Sequence, residues 1–271
     1  MLDSCAVPEH DKRMENSAVL IPAAAGQDRS AGALRVSFGY AGQPCGKALS
    51  EDFLGMIVPD GEQLARRGIV VALADGVSAS KGGGRIAAES AVHSLLADYY
   101  ATPEHWEVAQ ALDKVLDAVN AWLFAENARR PAIGGLATTL SLIVLRGRQV
   151  FLGHVGDTRI YRVRDNRMEQ LSTDHVWPRW DMRHTLRRAL GLDQHLIVDY
   201  SDDMIEPGDT FLLLSDGVWE SAGERDMREI VASLDEPQAI ADALVERAVS
   251  YQKMYFGRND ATAAALRVDA L

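Results

Sequence analysis

Two stretches of this chain drive an apolar run straight into Asp-Gly-Val: VALADGVSA at residues 71–79 and LLLSDGVWE at residues 212–220. A third run, QVFLGHVGD, ends on Gly156-Asp157. Glu51 and Asp52 open the apolar run EDFLGMIV, and Asp260 directly precedes ATAAAL. Each carboxylate therefore stands where a strand begins or ends. If those strand ends converge, four or five carboxylates meet at one edge, and their mutual repulsion either raises their pKa values or calls for cations. An all-oxygen set of this kind suits hard divalent ions, Mg²⁺ and Mn²⁺. Gly76, lacking a Cβ, lets its own carbonyl approach such an ion closely. No His or Cys stands at any of the five places, which disfavours zinc. His154 precedes Asp157 by three residues and reads either as a group behind that carboxylate or as an ordinary core histidine.

Asp-Gly is also the strongest short hairpin signal. The residues beyond each pair argue against a hairpin here. RIAAESAVHSLLADYY after Gly76 and VWESAGERDMREIVASL after Gly217 both carry helical spacing, so no second strand comes at once. Each Asp thus sits where the chain leaves a sheet, a rigid place on which to mount a functional group.

Periodicity gives the elements that carry these residues. Strands are predicted over LRVSFGY (34–40), DFLGMIV (52–58) and the continuous apolar run GIVVALAD (68–75), the last buried on both faces. Helices are predicted over about 84–100 and about 105–129. Val108, Leu112, Val115, Val119, Trp122 and Leu123 form the apolar stripe of the second. TTLSLIVLR, QVFLGHVGD and TRIYRVRD read as an antiparallel meander, with a turn at Asp165-Asn166 and MEQLS beyond it. Residues 174–191 break the pattern. LIVDYSDDMIEPGDTFLLLSD supplies two more strands, helices cover about 224–234 and 237–254, and ATAAALRVD closes the chain as a strand. This order predicts a single α+β domain with sheets as the inner layers. Residues 1–30 mix charges, Pro22, Ala23–Ala25 and Gly26 without sustained periodicity, and are expected to be a flexible leader to a domain over 31–271.

The bulk numbers narrow the partners. A net charge of -11 over 271 residues argues against a broad nucleic-acid-binding face. No apolar run approaches the roughly 20 residues needed to span a bilayer. AVLIPAAAG (18–26) faintly resembles a signal segment, but Asp3, Glu9, Asp11 and Glu15 precede it where a basic leader belongs. The protein is expected to be cytoplasmic and monomeric, with Cys5 and Cys45 as inert thiols.

In combination, the order SED, ADG, GLATTL, GHVGDTRIYR, STDH, LLLSDGVW, NDAT resembles the metal-dependent Ser/Thr protein phosphatases, the PPM or type-2C family, in its bacterial form. The match spans about residues 34–268. The resemblance implies a four-layer α-β-β-α sandwich, two central antiparallel β-sheets flanked by helices. It implies a centre holding two Mn²⁺ or Mg²⁺ ions, with a third and weaker one in bacterial members. By motif position, Asp75 would bridge the two ions, the Gly76 carbonyl would bind one, and Asp216 would bind the second. Glu51 and Asp52 match the acidic pair of the first motif, and Asp157 would join Asp216 at the third ion. The substrate would be a phosphorylated protein, the target of a Ser/Thr kinase, hydrolysed by a metal-activated water.

Four departures from the family pattern bear on these expectations. Lys47 replaces the usual phosphate-clamping Arg and offers a point charge rather than a bidentate fork. Val77 stands where some members carry a His that donates a proton. The last motif reads Asn259-Asp260-Ala261-Thr262, with its first two residue types exchanged, so either Asn259 or Asp260 would serve as ligand. The flap after Asp174-His175 is short. Its Trp177, Arg179, Trp180 and Arg183 read either as a substrate-facing patch or as a packed connecting helix. Lys47, Val77 and Asn259 motivate an alternative, a weak or inactive member that binds phosphoproteins. A metal-dependent phosphodiesterase or nuclease suits the carboxylates but not the acidic surface.

Overall fold

Apolar runs that end in Asp or Gly pile into two sheets, and the places where the chain passes between them gather the acidic residues. The computed structural model describes residues 18–21, 34–77, 82–129, 135–182, 185–255 and 258–271. The strands are β1 (Ala18–Ile21), β2 (Arg35–Gln43), β3 (Asp52–Ile57), β4 (Ile69–Asp75), β5 (Leu140–Arg146), β6 (Gln149–Val155), β7 (Arg159–Arg164), β8 (Arg167–Gln170), β9 (Asp199–Met204), β10 (Thr210–Leu214) and β11 (Ala261–Ala270). The helices are α1 (Gly61–Arg67), α2 (Gly83–Ala101), α3 (Val108–Arg129), α4 (Asp216–Ser233) and α5 (Pro237–Tyr255). One sheet has the order β1-β3-β4-β5-β6-β9 and the other β2-β11-β10-β7-β8. All pairings are antiparallel except that of β1 with β3.

Three apolar clusters define four layers. Leu54, Val71, Leu73 and Ile143 from the first sheet meet Phe211, Leu213 and Leu266 from the second, and this is the seam between sheets. Val70, Ala72 and Leu142 face the opposite way, onto Ala88, Leu95, Leu112 and Leu116 of α2 and α3. Leu212, Leu214 and Ala263 face Val218, Ile240, Leu244 and Ala248 of α4 and α5. The period-two alternation along β4 and β10 thus feeds two cores at once, which is why residues 69–74 and 211–214 are apolar at every position. The arrangement is the α-β-β-α sandwich that the resemblance implies.

Several local expectations change. The three-strand meander divides: β5 and β6 pair, but β7 belongs to the other sheet. The chain crosses between sheets at Gly156–Asp157. Consecutive strands usually neighbour each other, and nothing in the local periodicity marks the switch. β9 and β10 divide in the same way, β9 taking the polar outer edge beside β6. Helix α4 begins at Asp216 itself and kinks at Gly223. Trp122, expected in the apolar stripe, is 46% exposed; Leu116 and Ala111 are buried instead. The short polar helix α1 has no counterpart among the expected elements. Within the segment expected to be flexible, Ala18–Ile21 form a strand, and residues 1–17 and 22–33 lie outside the described residues, as does Cys5. Asp165 and Asn166 turn β7 into β8 at φ 50 and 61, as their turn chemistry predicts. Among the described residues no helix is long and apolar enough to cross a membrane.

Candidate metal centre and phosphate cleft

The sheet ends deliver the carboxylates to one place. Asp52 starts β3 and Asp75 ends β4, and the antiparallel register sets them directly opposite each other. The exit of β4 is pinned on both sides. Gly76 N–H donates to the Glu51 carbonyl at 3.1 Å, Thr139 N–H donates to the Asp75 carbonyl at 2.9 Å, and Val77 N–H donates to Ala137 at 3.0 Å. Asp75 N–H donates to Thr139 Oγ1 at 2.9 Å. Gly76 meets the start of α2 so closely that an added Cβ would lie 2.2 Å from Gly84. From the second sheet, β10 runs through Ser215 into Asp216 at the first turn of α4. Gly217 packs there against the strand entering β11, and a Cβ would stand 2.1 Å from the Asp260 carbonyl oxygen.

Between these ends lies a cleft of about 440 Å³. Asp75, Gly76, Asp157, Asp216, Asn259 and Asp260 line it, with Lys47 on its wall. Val77, Thr139, Leu186 and Glu220 complete it. Glu51 and Asp52 sit behind the lining, both buried. A larger groove of about 670 Å³ between α2 and α3 brings Glu89, His93 and Asp98 to a partly apolar wall, but it lies away from these sheet ends and collects no comparable set of charges.

The electrostatics match a cluster of buried, mutually repelling acids. Burial, then the charges of Asp260 and Asp216, push Asp52 up to about 8. Burial raises Asp75 well above the usual carboxylate range, reinforced by Asp52, Asp157 and Asp260. Asp216 is raised by burial and then by Asp75 and Asp157. Asp157 is pushed up to about 6 by burial and by Asp174. Neither Asp52 oxygen has a hydrogen-bond partner. The Ser215 and Thr262 hydroxyls lie close enough to soften its penalty but do not reach hydrogen-bonding geometry. Buried polar atoms are rarely left so. Among the described residues no three Asp, Glu, His or Cys side chains are already drawn together into a metal-holding cluster. The donor set is nonetheless all oxygen, and its repulsion and orphaned oxygens are what a hard divalent cation relieves, so the residues fit such an ion.

Asn259 and Asp260 diverge. Asn259 Nδ2 donates to Asp216 Oδ2 at 3.0 Å. Asp260 turns toward the loop before β3: its Oδ1 accepts from Cys45 N–H at 3.0 Å and its Oδ2 from Glu51 N–H at 2.8 Å. Lys47 is bound into the same corner, pairing with Glu51 and, at 3.4 Å, with Asp260 Oδ2. Burial works to lower the Lys47 pKa, but Glu51 and Asp260 more than offset it and the ammonium is held charged.

Residues that the motif words contain without declaring a role form the support. Trp219 Nε1 donates to the Asp157 carbonyl at 2.9 Å. Arg159 stacks on the Trp219 ring at 3.4 Å and grips Asp174 with two nitrogens, Nε at 3.0 Å and Nη2 at 2.7 Å. His154 is buried and bonded to Ser141 Oγ at 2.9 Å and the Thr173 carbonyl at 3.1 Å; burial and neighbouring His175 lower its pKa to about 4. Over the described part of the short flap there is no helix. Trp180 is 90% exposed, Arg179 pairs with Asp181, and Arg183 lies outside the described residues.

A family model described as protein phosphatase 2C matches residues 47–253. The serine/threonine phosphatase stp of Listeria innocua is 30% identical over 201 residues, covering 67% of this chain and 79% of that protein. Among solved structures, the PPM Ser-Thr phosphatase MsPP from Mycobacterium smegmatis, in complex with cacodylate, aligns with a TM-score of 0.69 at 25% identity, covering 86% of this chain and 98% of that one. The catalytic domain of the serine threonine protein phosphatase PstP, in complex with 2 manganese ions, aligns with a TM-score of 0.70 at 24% identity, covering 87% and 99%. With the family model spanning most of the chain and the cleft built on its motif residues, this chain belongs to the protein phosphatase 2C family.

Proposed function

We propose that the cleft holds two divalent ions, Mn²⁺ or Mg²⁺, and hydrolyses phosphoserine and phosphothreonine esters on proteins, so that the chain is a metal-dependent protein serine/threonine phosphatase. The observation that carries this is the meeting at a single cleft of Asp75 from one sheet, Asp216 and Asn259 beside strands of the other, and Asp157 from the link between them. Family membership and the manganese-bound PstP catalytic domain support the choice of ion.

Asp75 and the Gly76 carbonyl would hold the first ion, with Asp216 at the second and Asp157 beside Asp216 at a weaker third. When bound, such ions neutralise phosphoryl oxygens and lower the pKa of water in the site. The chain's own residues prepare the ground. Thr139 and Glu51 fix the backbone on either side of Asp75 and Gly76 through hydrogen bonds at 2.9 and 3.1 Å. Asp52 backs Asp75 from the paired strand. Asn259 orients Asp216 and takes the ligand position nearest it, while Asp260 anchors Lys47 and the Glu51 backbone. Lys47 contributes a fixed positive charge to the phosphate from the wall of the cleft. Val77 and Leu186 are apolar lining, and position 77 gives no proton to the departing serine or threonine oxygen. The substrate is the product of a Ser/Thr kinase, residues 31–271 form the phosphatase unit, and the protein acts as a cytoplasmic monomer.

The test is phosphate release from a phosphothreonine peptide with Mn²⁺, with Mg²⁺ and with EDTA, for wild type, Asp75→Ala and Asp216→Ala. Turnover should need an ion and fall by more than about a hundredfold in both variants. Turnover that survives EDTA overturns the metal reading. Wild-type turnover no higher than that of the variants leaves the protein as a phosphoprotein-binding module.

A further inference from the structure

The cleft does not end at the carboxylates. Glu220 and Asn259 also line a second hollow of about 210 Å³, whose remaining wall includes Tyr251, Gln252, Tyr255 and Arg258. Tyr251 and Tyr255 lie one helical turn apart at the end of α5. Their ring centroids are 4.4 Å apart with planes 34° to each other. They are 46% and 61% exposed, so the stacked pair presents an open aromatic face. Arg258 stands next to Asn259 with its stem over Gly46; a Cβ there would lie 3.6 Å from Arg258 Cγ. The guanidinium is exposed and makes no hydrogen bond or ion pair among the described residues. Lys47, by contrast, is committed to Glu51 and Asp260. On a chain of net charge -11, an uncommitted cation beside an aromatic face at the mouth of an acidic cleft is a specific device. An arginine fork suits carboxylate or phosphate oxygens, and a tyrosine face suits the carbon stem and peptide planes leading to them.

We propose that this hollow is a substrate subsite, receiving the residue that flanks the phosphoserine or phosphothreonine, and that Arg258 selects an anionic side chain there. The inference rests on the phosphatase reading, and deepens it by naming a preferred class of substrate. Glu220 lines both spaces and so marks where the hollow opens into the metal cleft.

The experiment uses the full chain with Mn²⁺ and four phosphothreonine peptides identical except for the flanking residues: glutamate, a second phosphoserine, alanine or lysine. Para-nitrophenyl phosphate, which has no flank, normalises each preparation. Wild type should prefer the glutamate peptide over the alanine peptide by about fivefold in kcat/KM, the size expected of one partly exposed charge pair, with the difference in KM. The phosphoserine arm shows whether a second phosphate serves as well as a carboxylate. Arg258→Ala should bring the glutamate-to-alanine ratio to about one, Arg258→Lys should keep part of it, and Arg258→Glu should turn it toward the lysine peptide. No acidic preference in wild type, a preference that persists in Arg258→Ala, or a wild-type preference for lysine overturns the subsite. Should no peptide turn over, the phosphatase reading fails, and fluorescence anisotropy of the same labelled peptides reads the subsite instead. Acidic-over-alanine binding that Arg258→Ala abolishes upholds it, and equal binding overturns it.

Discussion

Asn259 donates to Asp216 at 3.0 Å while its neighbour Asp260 faces the other way, into the corner built by Cys45, Lys47 and Glu51. The exchange of residue types in the last motif therefore leaves a neutral amide beside Asp216 and commits the carboxylate of residue 260 to holding a loop. Asn259→Asp should put a charge there and lower the Mn²⁺ concentration giving half-maximal turnover, by about tenfold. Asp260→Asn should instead loosen the loop, lowering the melting temperature with EDTA present. Metal titrations followed by activity and by differential scanning fluorimetry check both. A rise in the Mn²⁺ requirement of Asn259→Asp would place the ion away from residue 259.

The acidic cluster fixes the sign of a pH effect. Asp52 and Asp157 are raised in the folded protein to about 8 and about 6, from an ordinary 3.8. The folded state thus binds more protons than the unfolded one across that range, and without ions stability falls as pH rises from about 4 to 8. Divalent ions take the place of those protons. The gain in melting temperature on adding Mg²⁺ or Mn²⁺ to EDTA-treated protein should be several degrees larger at pH 8 than at pH 5. Asp75→Asn should melt higher than wild type in EDTA and gain less from the ions.

His154 acts in the opposite sense. Its pKa drops from 6.5 to about 4 in its buried place. The unfolded chain takes up the proton first as pH falls, so the stability tied to neutral His154 is complete above pH 6.5 and lost down to about pH 4, a contribution on the order of 3 kcal/mol. Urea unfolding at pH 7.5 and 4.5, compared between wild type and His154→Asn, isolates it. The variant should be less stable at pH 7.5 but lose less on acidification.

Gly76 is closed to any side chain. A methyl group there would lie 2.2 Å from the Gly84 backbone. Gly76→Ala should cost about 3 kcal/mol or more, because backbone rather than a mobile side chain has to yield. Its denaturation midpoint, set beside that of Gly42→Ala, measures this packing against a strand position of ordinary φ where the nearest atom, Thr262 Oγ1, would stand 3.4 Å away.

Much of the molecule is visible in the one-dimensional pattern, for reasons that are local. Asp75, Asp157 and Asp216 stand out because each ends an apolar run, and residues 69–74 and 211–214 are apolar throughout because each run faces two cores. The sheet to which a strand belongs is not local. Nothing between Val155 and Arg159 announces that β6 and β7 part company, since both alternate in the same way and a short link usually joins neighbours. The roles of Asn259 and Asp260 likewise depend on what approaches from residues 45–51, more than two hundred positions away. Arg159, Asp174 and Trp219 lie within the recognisable motif words, yet their mutual stacking and bonding emerge only when β7, α4 and the segment after β8 pack together.

Asp52 and Asp75 are carried by one sheet, Asp216, Asn259 and Asp260 adjoin strands of the other, Asp157 sits on the link between them, and the apolar contact of residues such as Leu73 and Ile143 with Leu213 and Leu266 keeps the halves in step. The cleft is therefore a vernier on the seam: a slide too small to fray either ladder would misalign the two sets of acidic side chains. Heat, mutation or a bound effector that shifts that seam should silence turnover while circular dichroism still reports intact strands.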